Sequence, residues 1–320
     1  MFFEGSEKKV EITIDGDKMS LLEDLPQSFW AQMVAQCGAM IVSQMSQPNC
    51  KAFLLSESSL FVWHDRLLLI TCGQTRLVNA VEYFVEKVDK QLILQLIYQR
   101  KNEYFASAQS SSFVDDVRLL NRHMPGVAYR FGELYSHHNY LYHLDNDYQS
   151  SMDATTCELL AYQISRSASA HLTAPGLTGL EIRQFLQLDK LVPGFTLDDH
   201  VFSPFGYSLN AIKGNSYLTI HVTPQSTSSY VSVEANFDLL AKAPLLLEIL
   251  APACFDLVCF NQPQFAQKAA QMVPKQYVSK ELVHKTLGIG LDVCFANYIR
   301  PQHDFGQPTH LDLSSEHRVF

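Results

Sequence analysis

Three serines and a glutamate interrupt an otherwise apolar run at Leu54-Leu55-Ser56-Glu57-Ser58-Ser59-Leu60-Phe61-Val62. Two chemistries fit that pattern. In one, the serines bond their own backbone and form a bulge or tight turn between two short strands. In the other, the Ser58 hydroxyl attacks the carbonyl of Glu57. An N-to-O acyl shift there gives an ester, and β-elimination leaves dehydroalanine. Hydrolysis of that species puts a pyruvoyl group on a new N-terminus, and no external cofactor is needed. The residues alone leave both readings open.

Other familiar motifs fail. Gly288-Ile289-Gly290 lacks the third glycine and the preceding strand of a dinucleotide fingerprint. Neither a phosphate-binding P-loop nor a G-x-S-x-G elbow is present. His137-His138 reads as an ordinary exposed loop pair, because no carboxylate or cysteine sits at ligand spacing, and no metal site is expected. Seven cysteines at irregular spacing include no C-x-x-C pair and read as free thiols of a reducing compartment. The net charge of −9, with no basic run longer than Arg100-Lys101, argues against a nucleic-acid partner. The N-terminus is acidic within four residues and has no signal-peptide core. The most apolar stretch, Leu245 to Ala251, is broken by Glu248 and too short for a bilayer. A soluble, cytoplasmic protein with no membrane partner is the expectation.

The elements that must position Ser58 follow from periodicity. Val10, Ile12 and Ile14 alternate with polar residues as a half-buried strand does. Phe53 to Val62 and Arg66 to Thr71 are apolar, with His64-Asp65 as a hairpin turn between them. Thr75 can cap a helix whose face carries Leu77, Ala80, Val81, Phe84 and Val85. Gln91 to Tyr98 is strand-like again. The second half repeats this order loosely, with strands at Tyr207 to Ile212, Tyr217 to Thr223 and Tyr230 to Glu234. A helix within Phe237 to Leu250 is kinked or started late by Pro244, and a strand follows at Phe255 to Phe260. Between the halves, strands are expected at 127–134 and 139–145, and helices near 112–122 and 155–166. The 320 residues, 47% apolar, hold ample material for a core. Short turns imply antiparallel pairing, and helices after runs of strands imply segregated layers. The expected fold is α+β, a four-layer α/β/β/α sandwich of two antiparallel sheets with helices outside. The loose repeat of elements is consistent with internal duplication.

Several segments together resemble the eukaryotic-type S-adenosylmethionine decarboxylases. Phe2-Phe3-Glu4-Gly5-Ser6-Glu7-Lys8 is similar to their N-terminal signature, Leu55 to Val62 to their processing site, and Thr71-Cys72-Gly73 to their catalytic cysteine segment. Phe202-Ser203-Pro204-Phe205-Gly206-Tyr207-Ser208-Leu209-Asn210, Tyr217 to Pro224, and Ser229 to Glu234 are similar to their second-half signatures. The resemblance runs from residue 2 to about 300. It implies one domain over residues 1–320, cut between Glu57 and Ser58 into chains 1–57 and 58–320. Ser58 then becomes the pyruvoyl group, whose carbonyl takes the substrate amine and serves as electron sink in place of pyridoxal phosphate. Cys72 is implied as proton donor, since an ordinary thiol with a pKa near ~8.5 is mostly protonated at neutral pH. His221 and Ser208 are implied in self-processing, as proton acceptor and oxyanion partner. Phe3 and Phe202 resemble the rings that sandwich the adenine. Glu4 and Glu7 match acidic active-site positions, and Leu55 and Glu57, beside the cut, are implied as substrate contacts.

The chain also departs from the pattern. Gln225 stands where the family has a glutamate that grips both ribose hydroxyls. Glu11, Glu158, Glu234 and Arg100 match the family's buried putrescine pocket, but Ile70 replaces its lysine and Ala154 its aspartate. Weak or absent putrescine activation is expected. The resemblance leaves room for a homodimer of cleaved heterodimers. Two competing readings are a pyruvoyl-dependent decarboxylase of another amino acid, such as arginine or ornithine, and an inactive paralogue that activates a partner. Retention of Ser58, Cys72 and His221 argues against the second.

Overall fold

The computed structural model describes residues 5–103, 106–152, 154–225 and 229–302. Phe3 and Glu4 lie outside these. The first half builds one antiparallel sheet from β1 (Lys8–Ile14), β2 (Ile41–Gln47), β3 (Cys50–Leu55), β4 (Ser58–Val62), β5 (Arg66–Thr71), β6 (Ile93–Lys101), β7 (Gly126–Gly132) and β8 (His138–Leu144). The second half builds another from β9 (Thr156–Tyr162), β10 (Thr196–Val201), β11 (Tyr207–Lys213), β12 (Ser216–Thr223), β13 (Tyr230–Ala235), β14 (Cys254–Phe260), β15 (Val278–Thr286) and β16 (Asp292–Ile299). The strand orders are 2-3-4-5-1-6-8-7 and 10-11-12-13-9-14-16-15. Adding eight to each number of the first order gives the second, so the halves share one topology, as duplication would produce.

Each strand alternates its side chains between faces, and this sorts the apolar residues into layers. Val10, Ile12, Leu60, Leu69 and Tyr98 face outward against α1 (Gln27–Gln36) and α2 (Leu77–Lys87). Further along the chain, beyond α3 (Phe113–His123), Leu159, Leu209, Ile220 and Val233 do the same against α4 (Arg166–Leu172), α5 (Gly179–Phe185), α6 (Leu188–Leu191), α7 (Ala243–Leu250) and α8 (Phe265–Met272). Between the sheets, Ile97, Phe131 and Leu141 meet Leu160, Val258 and Phe295, while Phe61, Trp63 and Ile70 meet Ile212 and Tyr217. The result is the expected four-layer sandwich. The remaining inner space is polar, and the site lies there.

Several local readings need correction. The helix expected over 155–166 is instead β9, a central strand buried along its whole length, and a helix starts only at Arg166. A seven-residue run that is buried on both faces carries no period to tell strand from helix. Phe53 to Val62 is two strands, broken at Ser56-Glu57. Thr75 does not cap α2: Arg76 holds that position without a side-chain bond, and Thr75 Oγ1 donates to Cys72 O. Pro244 marks a late start to α7, which begins at Ala243 after a short 3₁₀ turn. Cys157 and Cys259 are not free thiols. They face each other across the β9–β14 ladder and form a disulfide, which leaves five free cysteines.

Candidate active site

The β3–β4 turn delivers Ser58 to one end of the sandwich. Neighbouring strand residues normally face opposite ways, yet the hydroxyls of Ser58 and Ser59 both reach His221 Nε2, at 3.0 and 3.4 Å. The backbone shows how this is done. Ser58 has φ 131°, a region that residues with a side chain rarely enter. Strain of that kind persists where the surroundings hold it in place, and it clusters at functional positions. The Glu57 carbonyl, the group that Ser58 would attack, accepts the Cys72 backbone N–H at 3.0 Å and faces the Cys72 Sγ at 3.4 Å. Two donors therefore sit where negative charge would develop on that oxygen.

The second sheet supplies the imidazole. Register pairs Ser208 with His221 and Asn210 with Thr219 across β11 and β12, so all four point into the inter-sheet space. His221 Nδ1 lies 2.9 Å from Ser208 Oγ, and Nε2 lies 2.9 Å from Thr219 Oγ1. Asn210 Oδ1 accepts from Ser59 Oγ at 2.6 Å and from Thr219 Oγ1 at 3.1 Å. Burial disfavours charge on His221 and pushes its pKa down to about 3. The ring is neutral at physiological pH. When its Nδ1–H donates to Ser208, Nε2 faces Ser58 as a proton acceptor. Ser59, Asn210 and Thr219 were not singled out from sequence. The period-2 spacing of Asn210 from Ser208, and of Thr219 from His221, is the signal that finds them.

A cavity of about 450 Å³ opens beside these groups, within the usual range for a small-molecule site. Ser58, Cys72, Phe202, Phe205, His221 and Gln225 contribute to its wall, and so does Glu57. Burial raises the Glu57 carboxyl above its ordinary range, with Lys8 opposing. Phe202 carries His200 edge-on at 4.7 Å. Phe205 is 48% exposed and presents a second ring that the sequence reading left unused. Ser58, Cys72, Ser208, His221, Phe202, Glu57 and Gln225 are thus gathered in one place. Leu55 is not among them, because its side chain is buried in the helix-side core.

The acidic residues form a separate cluster deeper between the sheets. Lys9 Nζ lies 2.8 Å from both Glu158 Oε1 and Glu234 Oε1, and Lys101 Nζ pairs with the other oxygen of Glu158. Burial opposes charge on Glu158, but Lys101 and Lys9 hold its carboxyl below the usual range. Burial, helped by the charge of Glu158, raises Glu234. Glu7 belongs to this cluster rather than to the cavity wall. Its carboxylate accepts from Ser232 Oγ at 2.6 Å, and burial lifts its pKa to about 8. Glu11 stands near the outer mouth, 3.8 Å from Arg66. Arg100 does not join the cluster: it turns toward the helices and pairs with Asp116 and Glu103. Sequence reading missed Lys9 and Lys101, because a lysine on a strand reads as a solvated one.

The crystal structure of the Trypanosoma brucei AdoMetDC-delta26 monomer superposes with a TM-score of 0.59 at 27% identity, covering 76% of this chain and 99% of that one. Two packed sheets with a hydroxyl, an imidazole and a thiol meeting between their ends mark a decarboxylase of this sandwich class. More particularly, a family model described as adenosylmethionine decarboxylase matches residues 1–299, and the chain belongs to that family. The S-adenosylmethionine decarboxylase proenzyme of Leishmania donovani is 30% identical, with 93% of this chain and 86% of the relative covered. That of Xenopus laevis is 32% identical over 78% and 79%.

Proposed function

We propose that the chain cuts itself between Glu57 and Ser58, converts Ser58 to a pyruvoyl group, and then decarboxylates S-adenosylmethionine for polyamine synthesis. The observation that carries this is the placement of Ser58 Oγ 3.0 Å from a neutral imidazole, with the Glu57 carbonyl held by Cys72. Ser58 Oγ attacks the Glu57 carbonyl carbon, and its proton passes to His221 Nε2. The peptide C–N bond breaks, the amine regains a proton, and an ester links the two residues. Removal of the Ser58 α-proton then expels Glu57 as a carboxylate and leaves a dehydroalanine. Water adds to its imine tautomer, ammonia departs, and a ketone remains at position 58.

The residues present fit such a group. Position 58 is buried at the cavity wall, between donors from Cys72 and the ring of His221. A ketone there supplies the electron sink for loss of carbon dioxide. The chain's own side chains do the rest. Cys72 holds a thiol proton at the cavity wall, ready for the carbon that loses the carboxyl group. Phe202 and Phe205 offer flat faces to a purine and attract a sulfonium cation. Gln225 faces the ribose with one amide acceptor and one donor.

Lys9 and Lys101 support independence from added diamine. They already supply two buried cations to Glu158 and Glu234, and Ile70 and Ala154 offer no further charge. Release of carbon dioxide from carboxyl-labelled S-adenosylmethionine, arginine and ornithine, each with and without putrescine, tests the whole reading. Release from the first alone, unaffected by putrescine, is expected. Release from arginine or ornithine instead would reassign the substrate.

A further inference from the structure

Asp256 on β14 is buried at 1% exposure, and Asn297 Nδ2 donates to its Oδ1 at 2.7 Å. Its carboxylate also bonds His137 Nδ1, at 3.0 and 3.1 Å to the two oxygens. The other ring nitrogen, Nε2, lies 3.7 Å from Cys254 Sγ. The His137-His138 pair is therefore not an ordinary exposed loop pair. A thiol, an imidazole and a carboxylate stand in line, and the edge of the His137 ring packs at 4.5 Å on Tyr162. This is the arrangement of an activated nucleophile: a base within reach and a third group that orients the base. Cys254 and Asp256 share one face of β14 because they are two residues apart, and the β7–β8 connection carries His137 over them.

We propose that Cys254 is a reactive thiol, activated by the His137–Asp256 pair, which exchanges with small disulfides of the glutathione type. Cys254 passes its proton to His137 Nε2 as its sulfur attacks one sulfur of the small disulfide. One S–S bond forms and one breaks. Cys254 is oxidised to a mixed disulfide, and the departing half leaves as a thiolate that takes a proton from solvent. Burial works against charge on His137, but its bonds to Asp256 and Cys254 lift its pKa to about 10, so the ring has a high affinity for a proton. Of the five free cysteines, four are buried and Cys254 is partly exposed. Burial pushes Cys37 up to about 11 and Cys50 and Cys294 up to about 12, which leaves those three inert. Other titratable or charged groups around the pair include Tyr162 on β9, Tyr230 on β13, His138 beside His137, Lys280, which donates to Ser136 Oγ, Tyr277, and Arg300, whose backbone N–H bonds Ala253 O.

The test is incubation of the full chain with glutathione disulfide at neutral pH, reading adduct formation at each cysteine by peptide mass. Cys254 is expected to carry the adduct first, at a rate roughly tenfold or more above its rate in His137→Gln or Asp256→Asn. Equal rates in the wild type and His137→Gln would overturn the proposal. Should both variants fail to fold, the urea-unfolded wild-type chain is the reference. Faster labelling of Cys254 in the folded chain than in the unfolded one supports activation, and slower labelling refutes it.

Discussion

His221 shows how much a buried site changes an ordinary side chain. An imidazole in water loses its proton near pH 6.5, and this one does so near 3 because burial penalises the ion. Proenzyme processing should therefore show no acid limb between pH 5 and pH 8, followed as the appearance of the two chains on a gel; half-loss near pH 6.5 would contradict it. The same shift affects stability. His221 contributes stability that is present above pH 6.5 and lost as pH falls toward 3, because only the unfolded state takes up the proton across that interval. Glu7 has the opposite sign. Its carboxyl is raised to about 8, so its contribution is present below pH 4.5 and lost as pH rises through 8. Glu7→Gln should remove that loss, seen in urea unfolding as a smaller difference between pH 5 and pH 8 than in the wild type. Gln225→Glu should tighten nucleoside binding by about 1–2 kcal/mol, since bonds to a charged acceptor are stronger. An unchanged KM for S-adenosylmethionine would remove that role. At this scale Ser58 stood out as a polar break in an apolar run, Cys72 and His221 were picked out by the family resemblance, and the three line one cavity. The sequence was not readable at Lys9 or Asp256, whose roles depend on partners 149 and 119 residues away.

Elements were legible where periodicity is clean. α3, Phe113–His123, begins at a capping box in which Ser112 Oγ accepts from the Asp115 N–H while the Asp115 carboxylate accepts from the Ser112 N–H. Its expected span of 112–122 was nearly right. Ser112→Ala should cost about 1 kcal/mol in denaturant unfolding. A loss below a few tenths would mean that packing alone holds the helix. β9 was read as a helix because Thr156 to Tyr162 is buried on both faces and shows neither period. That error left Glu158 to the family resemblance alone; as a strand residue it turns into the inter-sheet space and joins Lys9. The break at Ser56-Glu57 was visible as a polar insertion, but the twist at Ser58 was not. A φ of 131° at a serine follows from the strands that pin it rather than from local propensity.

Across the whole molecule, two copies of one strand order bury a line of charge between them. The sandwich was legible from strand and helix counts, whereas strand order was not, since nothing local specifies which edges pair. Lys9 bridges the halves, from β1 of the first sheet to β9 and β13 of the second. Lys9→Met should destabilise the fold by roughly 3 kcal/mol or more, because it leaves two carboxylates short of a buried partner. Urea unfolding measures this, and a change under about 1 kcal/mol would show that water or protonation compensates. Self-processing as proposed remakes the backbone at one bond, Glu57-Ser58. Intact-mass analysis of the purified protein tests it directly. Two chains are expected, residues 1–57 and 58–320, the larger beginning with a ketone in place of the Ser58 amine. A single uncut chain of 320 residues with an ordinary serine at position 58 would contradict it.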